Sequence, residues 1–392
     1  MQDSIRIPVA FCLRVDDVGW HNGADDRYFS RPSRTGIPRK HVPADYRALH
    51  ELGKALNMKI SCSLVLGEWD KDNVLRGVPH VTWDPEGWDR ASEIDMAYAR
   101  ECFEALEGSE YLDYNLHGLL HGYYDKGKLI TELQYYPNAY DEVNKCYTKK
   151  NVPLSKDEFR RHLELFYAIY DSWGFKKKIT CFASPCGALF TPEENADYVD
   201  VLKEFGMLYW HNGWRDWPRD SRYNRTAVVN GMIINRTCGN LPWDAYDADP
   251  KYIPIRSDLT PDLCYHWTNF IRWNPENDLE RIPAWADYFR RQAEVWGIML
   301  GRNVAFSDSQ GVYSQYAELA EAEDRVVIDL EKVDAAGAIA LHDDFCVSVR
   351  NGIEPAIAEG GTMALFETKK DFRTYRITRT GGSRVVIRCR AD

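Results

Sequence analysis

The 392-residue sequence lacks features that define several common classes of protein. No segment approaches the roughly 18 consecutive apolar residues of a membrane span. The first residues, MQDSIRIPVAF, show no basic region followed by an apolar core and a cleavage site. No GxGxxG follows the first predicted strand and no GxxxxGKS/T occurs, which argues against dinucleotide and P-loop enzymes. We therefore expect a cytoplasmic protein with no membrane partner.

Positive charge is also scarce, because 49 Lys and Arg residues face 60 Asp and Glu residues and leave a net charge of −11. That balance argues against nucleic acid as a partner and favours a neutral substrate. Paired cysteines are missing as well, since there is no CxxC. Cys12, Cys62, Cys181 and Cys264 occur singly in apolar runs, where cysteine behaves as a small buried hydrophobic residue. Neither a disulfide framework nor a cysteine-ligated structural zinc is expected.

Aromatic residues, by contrast, are abundant, because 13 Trp, 23 Tyr and 15 Phe make up 13% of the chain. Many lie in polar segments rather than in apolar runs, as Trp69, Trp83 and Trp88 do. Flat aromatic faces in polar loops suit the apolar faces of sugar rings, and Trp and Tyr also supply core volume. The composition leaves both roles open.

Strand-like and helix-like segments alternate along most of the chain. One helix is expected from Pro43 to Asn57, and another from the capping box Ser155–Glu158 to Trp173. Apolar runs predict strands over residues 6–16, 58–66, 111–117, 177–185, 207–211, 227–237 and 262–267. Such alternation predicts parallel strands and a barrel-like α/β domain.

The pattern changes near residue 324, after which short alternating runs such as TYRITRT and SRVVIRC are interrupted by Gly and Asp. This sequence pattern is typical of an all-β unit. We therefore predict a (β/α) barrel over residues 1–323 and a β-sandwich-like accessory module over residues 324–392. The module is expected to pack against the barrel, with carbohydrate binding as the alternative role.

Two adjacent acids, Asp16 and Asp17, end the first strand in the sequence LRVDDVGW. Burying both is costly unless a positive group compensates, and the carboxyl ends of parallel strands are where active sites lie in such folds. A metal ion is the obvious compensation, and an acidic turn or helix cap is the alternative.

Two histidines follow another predicted strand, at His117 and His121 in YNLHGLLHGYY. Their spacing of four predicts a helical turn that aligns both imidazoles. Together with the adjacent acids at the first strand, they supply the ligand types that a divalent cation requires. The sequence therefore predicts a metal site built from two strand ends.

These motifs resemble those of the polysaccharide deacetylase superfamily, also called the NodB-homology or carbohydrate esterase family 4 fold. The resemblance implies an α/β fold, a distorted (β/α) barrel of about seven parallel strands, here with a small C-terminal all-β module. It implies that Asp16 is the general base and that Asp17, His117 and His121 are metal ligands. Zinc is the expected metal, and cobalt, nickel, manganese or iron suit the same donors.

The third and fourth motifs of the superfamily are matched less closely. The arginine that orients the base falls on Ala183 in FASPCG, and the oxyanion-binding residue falls on Cys186. The backbone N–H of Cys186 could still stabilise an oxyanion, because that donor does not depend on the side chain. An Asp–Trp motif resembles Asp216-Trp217.

The last motif, Leu-x-His at a strand end, resembles CYHWTNF and makes His266 the general acid. His342 in ALHDDF is the competing candidate, but it lies in the all-β tail, and the order of elements favours His266. His211 also ends a strand, where contact with substrate and burial in the core are both open.

The resemblance implies a metal-dependent hydrolase that removes acetyl groups from an N- or O-acetylated carbohydrate. The missing arginine keeps open a C–N hydrolase of the same fold that acts on a small cyclic imide or amide. A non-catalytic carbohydrate-binding protein is the third alternative. The expected partner is therefore a carbohydrate or a small amide.

Overall fold

The computed structural model of the chain describes residues 4–19, 41–120, 122–131, 134–185, 192–211, 225–239, 248–250, 260–322 and 324–391. The α-helices in these ranges are α1 (Pro43–Leu56), α2 (Arg90–Glu93), α3 (Met96–Glu107), α4 (Lys156–Trp173), α5 (Pro192–Glu204), α6 (Trp267–Phe270), α7 (Ile282–Trp296), α8 (Val304–Tyr316) and α9 (Glu331–Ala335). None of the described helices has the length and apolar character that crossing a membrane requires.

The strands before residue 240 are β1 (Ile5–Arg6), β2 (Ala10–Val18), β3 (Ile60–Val65), β4 (Leu112–Gly118), β5 (Gly122–Asp125), β6 (Lys128–Thr131), β7 (Asn138–Asp141), β8 (Cys146–Asn151), β9 (Cys181–Ala183), β10 (Tyr209–His211), β11 (Thr226–Val229), β12 (Met232–Asn235) and β13 (Thr237–Gly239). Those that follow are β14 (Asp262–His266), β15 (Met299–Leu300), β16 (Glu318–Glu321), β17 (Arg325–Asp329), β18 (Asp344–Arg350), β19 (Ile353–Glu359), β20 (Gly361–Thr368), β21 (Phe372–Arg379) and β22 (Arg384–Ala391). Two short 3₁₀ helices in the described ranges cover Gly67–Trp69 and Pro275–Arg281.

Helices α1 and α4 begin and end where the sequence predicts. Pro43 occupies the first turn of α1, and Asn57 ends it in the left-handed conformation with φ of 50°. The side chain of Ser155 accepts a hydrogen bond from the Glu158 backbone N–H at 3.3 Å, which confirms the capping box of α4.

The largest sheet has the strand order β11-β12-β10-β9-β4-β3-β2-β14-β13, and β15 pairs with β2 beside this path. The eight strands from β12 to β13 are parallel, and they curl into a half-barrel. Each parallel strand ends at the same edge of the sheet, so the predicted site residues at the ends of β2, β4 and β14 share that edge.

The predicted barrel of about seven parallel strands is therefore wrong. Eight parallel strands form a half-barrel, and among the described residues no ladder joins the two ends of its sheet. The described residues also form four antiparallel sheets, and strand and helix take up nearly equal shares of those residues, 34% and 33%. Alternating strands and helices predict parallel neighbours, but closure depends on strand tilt and stagger, which alternation does not encode.

One predicted strand, residues 227–237, is in fact interrupted. Asn230 and Gly231 have φ values of 47° and 84°, as a two-residue hairpin turn requires, and they reverse the chain between β11 and β12. This antiparallel pair forms one edge of the large sheet.

Two four-stranded antiparallel sheets contain the strands after residue 316, with the orders β1-β18-β21-β20 and β16-β17-β22-β19. β1 and β16 precede residue 324 in the chain but belong to these sheets. The domain boundary between residues 323 and 324 stays a prediction.

Helix α8 connects the large sheet to the first of these two sheets. The Gln310 side chain donates hydrogen bonds to the carbonyl oxygens of Pro8 (2.8 Å) and Cys346 (3.0 Å), and accepts one from the Cys346 N–H. The neighbouring Asp308 side chain points instead to the large sheet, where it contacts His211. A single helix therefore contacts both layers through buried polar side chains.

Candidate functional site

Asp16 and Asp17 lie near the C-terminal end of β2, and both are almost fully buried. Adjacent residues of a regular strand point to opposite faces. The pairing of β2 with β3 shifts register between Val15 and Val18, and Asp17 takes a left-handed φ of 65°. A bulge of this kind redirects side chains, and Asp tolerates the left-handed region better than most residues. Both carboxylates can therefore face the same neighbour.

That neighbour is His117, which is 2% exposed. Its Nε2 lies 3.6 Å from Oδ1 of Asp17 and 3.9 Å from Oδ2 of Asp16. On the other side of the ring, Nδ1 hydrogen-bonds the Ala183 carbonyl oxygen. This bond fixes the ring orientation and directs Nε2 to the two carboxylates, as a backbone carbonyl often does for a ligating histidine.

The predicted helical turn at His117 is wrong, because His117 lies in strand β4. The pairing of β3 with β4 shifts register at this residue, between Leu116 and Gly118. The segment after His117 is attached to β3, since the Leu66 N–H donates to the Gly118 carbonyl (3.2 Å) and the Gly67 N–H to that of Leu119 (2.7 Å).

The local charges favour a positive group between the carboxylates. Burial acts to raise the pKa of Asp16, but Arg14, His117 and His266 outweigh it and lower the pKa to about 2. Burial acts to lower the pKa of His117, but Asp16 and Asp17 outweigh it and raise the pKa. Asp16 is therefore ionised at neutral pH, and a cation beside it is stabilised.

His266 ends β14, and its Cα pairs in register with that of Asp16 on the adjacent parallel strand. Residues in register on parallel strands point to the same face, and the two side chains interact electrostatically. His266 is only half-buried, whereas Asp16 is 6% exposed. His266 therefore lies at the accessible side of the site, beside the predicted base.

Arg14 is a site residue that the sequence interpretation missed. It lies two positions before Asp16 on β2 and is 1% exposed. Its Nη1 donates to both Asp16 oxygens, at 2.5 and 2.7 Å, and its Nε donates to Asp262 at 2.9 Å. The Cys264 thiol donates to Oδ2 of Asp16 at 3.2 Å. A charged residue inside the apolar run FCLRVDDV was the available signal, because a buried arginine requires a carboxylate partner.

Four predicted site residues, His121, Cys186, Asp216 and Trp217, lie outside the described residues. Within the ranges described, no group of three or more His, Cys, Asp or Glu side chains is arranged to hold a metal ion. The ligand set predicted from the sequence thus has two described members, Asp17 and His117.

The two other histidines have different environments. His211 is fully buried between Asp262 and Asp308. His342 precedes β18 rather than lying in a strand, and the Tyr313 hydroxyl donates to its carbonyl oxygen at 2.6 Å. Neither histidine is placed beside Asp16 by the strand pairing that positions His266.

The chain matches no known protein-family profile and no curated protein sequence.

Proposed function

We propose that this protein is a metal-dependent hydrolase that removes acetyl groups from an N- or O-acetylated carbohydrate, as its resemblance to the polysaccharide deacetylase superfamily implies. The observation that carries the proposal is the convergence of Asp16, Asp17 and His117 within 4 Å, at the carboxyl ends of β2 and β4, two parallel strands separated by β3. His266 lies on the next strand, on the same face as Asp16.

The donors fit a divalent cation. Two ligands about 2.1 Å from one tetrahedral ion lie roughly 3.4 Å apart, and Oδ1 of Asp17 and Nε2 of His117 are separated by 3.6 Å. The ring is held by its other nitrogen, as ligating histidines usually are. Asp17 and His117 would hold the ion, with His121 as the third ligand. One carboxylate and two imidazoles suit zinc, and cobalt, nickel, manganese or iron as well.

A bound cation of this kind polarises a substrate carbonyl and acidifies water. The residues of the chain then supply proton transfer. Asp16 is an ionised carboxylate beside the ion site, so it accepts the proton of the attacking water. His266, half-buried on the adjacent strand, protonates the departing amine or alcohol.

Elemental analysis of the purified protein tests the proposal, with Asp17→Asn and His121→Ala as variants. Asparagine is the preferred replacement at position 17, because it tolerates the left-handed backbone of that residue. About one equivalent of a transition metal is expected in the wild type and none in either variant. No metal after reconstitution with zinc or cobalt would contradict the proposal.

The substrate class is tested on the metal-loaded protein. Acetate release from N-acetylated and O-acetylated sugars is the expected result, and the His117→Ala variant should lose both metal and hydrolysis. Turnover of a cyclic imide, with no acetate release from any sugar, would instead identify the site as that of a C–N hydrolase.

A further inference from the structure

Behind the proposed site, five buried side chains of alternating charge contact one another in series. Arg14 Nη1 contacts Asp16 at 2.5 Å, and Arg14 Nε contacts Asp262 at 2.9 Å. His211 Nδ1 lies 3.2 Å from the same Asp262 oxygen, and His211 Nε2 lies 3.0 Å from Asp308. These residues come from strands β2, β14 and β10 and from helix α8, so this series of charged side chains connects three strands of the half-barrel with the helix.

The Arg14 guanidinium is fixed at three of its nitrogens. Besides the contacts of Nη1 and Nε, its Nη2 donates to the Thr237 hydroxyl at 3.0 Å, and that hydroxyl in turn donates to Asp262. A planar guanidinium fixed in this way has one orientation, and its hydrogen bonds therefore fix the orientation of the Asp16 carboxylate. A lysine ammonium, a point charge on a flexible stem, cannot reproduce three contacts in one plane.

Asp262 is held from its far side by His211. That imidazole is fully buried with a carboxylate at each ring nitrogen, Asp262 at one and Asp308 at the other. Burial acts to lower the pKa of His211, but Asp308, Cys181 and Asp262 outweigh it and raise the pKa well above its ordinary value. A cationic His211 stabilises Asp262 as the carboxylate that Arg14 requires.

We propose that Arg14 is the positioning residue of Asp16, and that Asp262, supported by His211 and Asp308, fixes Arg14. The catalytic consequence rests on the proposed function, in which Asp16 is the general base. Arg14 lies outside the third sequence motif. In that motif the position of the superfamily's base-orienting arginine is Ala183, whose backbone carbonyl oxygen binds His117.

The catalytic test compares Arg14→Lys and Arg14→Met with the wild type. Both variants are expected to keep the bound metal and a KM within about threefold of the wild type, while kcat falls by about 100-fold. Arg379→Lys and Arg379→Met are the matched controls, because Arg379 also binds a carboxylate, Asp334, through two nitrogens at 2.8 Å. The controls should leave kcat unchanged. A wild-type kcat in Arg14→Met would overturn the proposal.

A double-mutant cycle separates this proposal from the proposed function, because it needs no activity. The urea midpoints of Arg14→Met, Asp16→Asn and the double variant are expected to be non-additive, since each single change removes one partner of a buried charge. Additive shifts would overturn the positioning role even in an active enzyme. A wild type without metal or turnover would refute the proposed function alone. If Arg14→Met does not fold, Asp262→Asn replaces it in the kinetic comparison and in the cycle, with the same expected results.

Discussion

Replacing Gly67 with alanine should weaken binding at the proposed metal site without changing any of the proposed ligands. A Cβ atom at Gly67 would lie 2.4 Å from Cγ of Leu120 and 2.7 Å from the carbonyl oxygen of Leu119. One of these contacts is with backbone, so a side-chain rotation cannot relieve both. The segment between His117 and His121 must move by about 1 Å to restore ordinary contact distances.

Metal sites tolerate displacements of roughly 0.2 Å in ligand distances. We therefore expect Gly67→Ala to lower the affinity for zinc or cobalt by roughly 10- to 100-fold, as changes around ligands commonly do. The overpacking should also lower the free energy of unfolding by about 1–3 kcal/mol. Isothermal titration calorimetry on the metal-free protein measures the first quantity, and urea denaturation the second.

Gly53→Ala is the matched control. Its Cβ would lie 2.8 Å from the carbonyl oxygens of Met58 and Tyr111, which precede β3 and β4 at the edge of the sheet opposite the site. It should cost comparable stability and leave metal affinity unchanged. Equal affinity in Gly67→Ala and the wild type would refute the reasoning, as would an equal loss of affinity in both variants.

Three further predictions concern charged side chains. In the metal-free protein, neighbouring cations prevail over burial and lower the pKa of Asp16 from 3.8 to about 2. The ionised Asp16 therefore contributes on the order of 2 kcal/mol to stability above pH 4, and this contribution is lost as the pH falls towards 2. Urea midpoints of Asp16→Asn should vary less with pH in that window, and an unchanged slope would contradict the assignment. His211 has a raised pKa, so its stabilising charge is complete below pH 6.5 and lost only above the raised value. Nitrogen NMR at pH 6.5, where an ordinary histidine is half neutral, should show an imidazolium, and a neutral ring would disprove it. His266→Ala should keep the metal and lower kcat by about 100-fold, whereas His342→Ala should change neither, and the opposite pattern would make His342 the general acid.

Elements with local signals could be predicted from the sequence. Pro43 and Asn57 mark the two ends of α1, and Ser155 begins α4, because capping depends on residues within one or two turns. Seven of the eight strands of the half-barrel overlap strands predicted from the sequence, since an apolar run reports burial locally, whereas β13 has no predicted strand of its own. The hairpin at Asn230-Gly231 also carried a local signal that the strand interpretation overlooked.

The geometry at the site depends on features that periodicity does not encode. A spacing of four residues fits a helical turn, but it also fits a strand end followed by a bend, which is where His117 lies. The bulge at Asp17 turns two consecutive carboxylates to one side, contrary to the alternation expected of a strand. The partner of Arg14 was equally hidden, because Asp262 is 248 residues away in the chain.

The pairing of β2 has a consequence for the order in which the molecule is made. Two neighbours of this strand, β14 and β15, follow it by about 250 residues or more and are synthesised last among the described strands of the large sheet. At 5–20 residues per second, Arg14 waits roughly 10 to 50 seconds for Asp262. During that time a strand with three charged residues has β3 as its only completed neighbour among the described strands, and its other edge is open to pairing with another chain. The proposed base, Asp16, and the arginine that orients it thus belong to a strand that is synthesised well before it can complete its pairing.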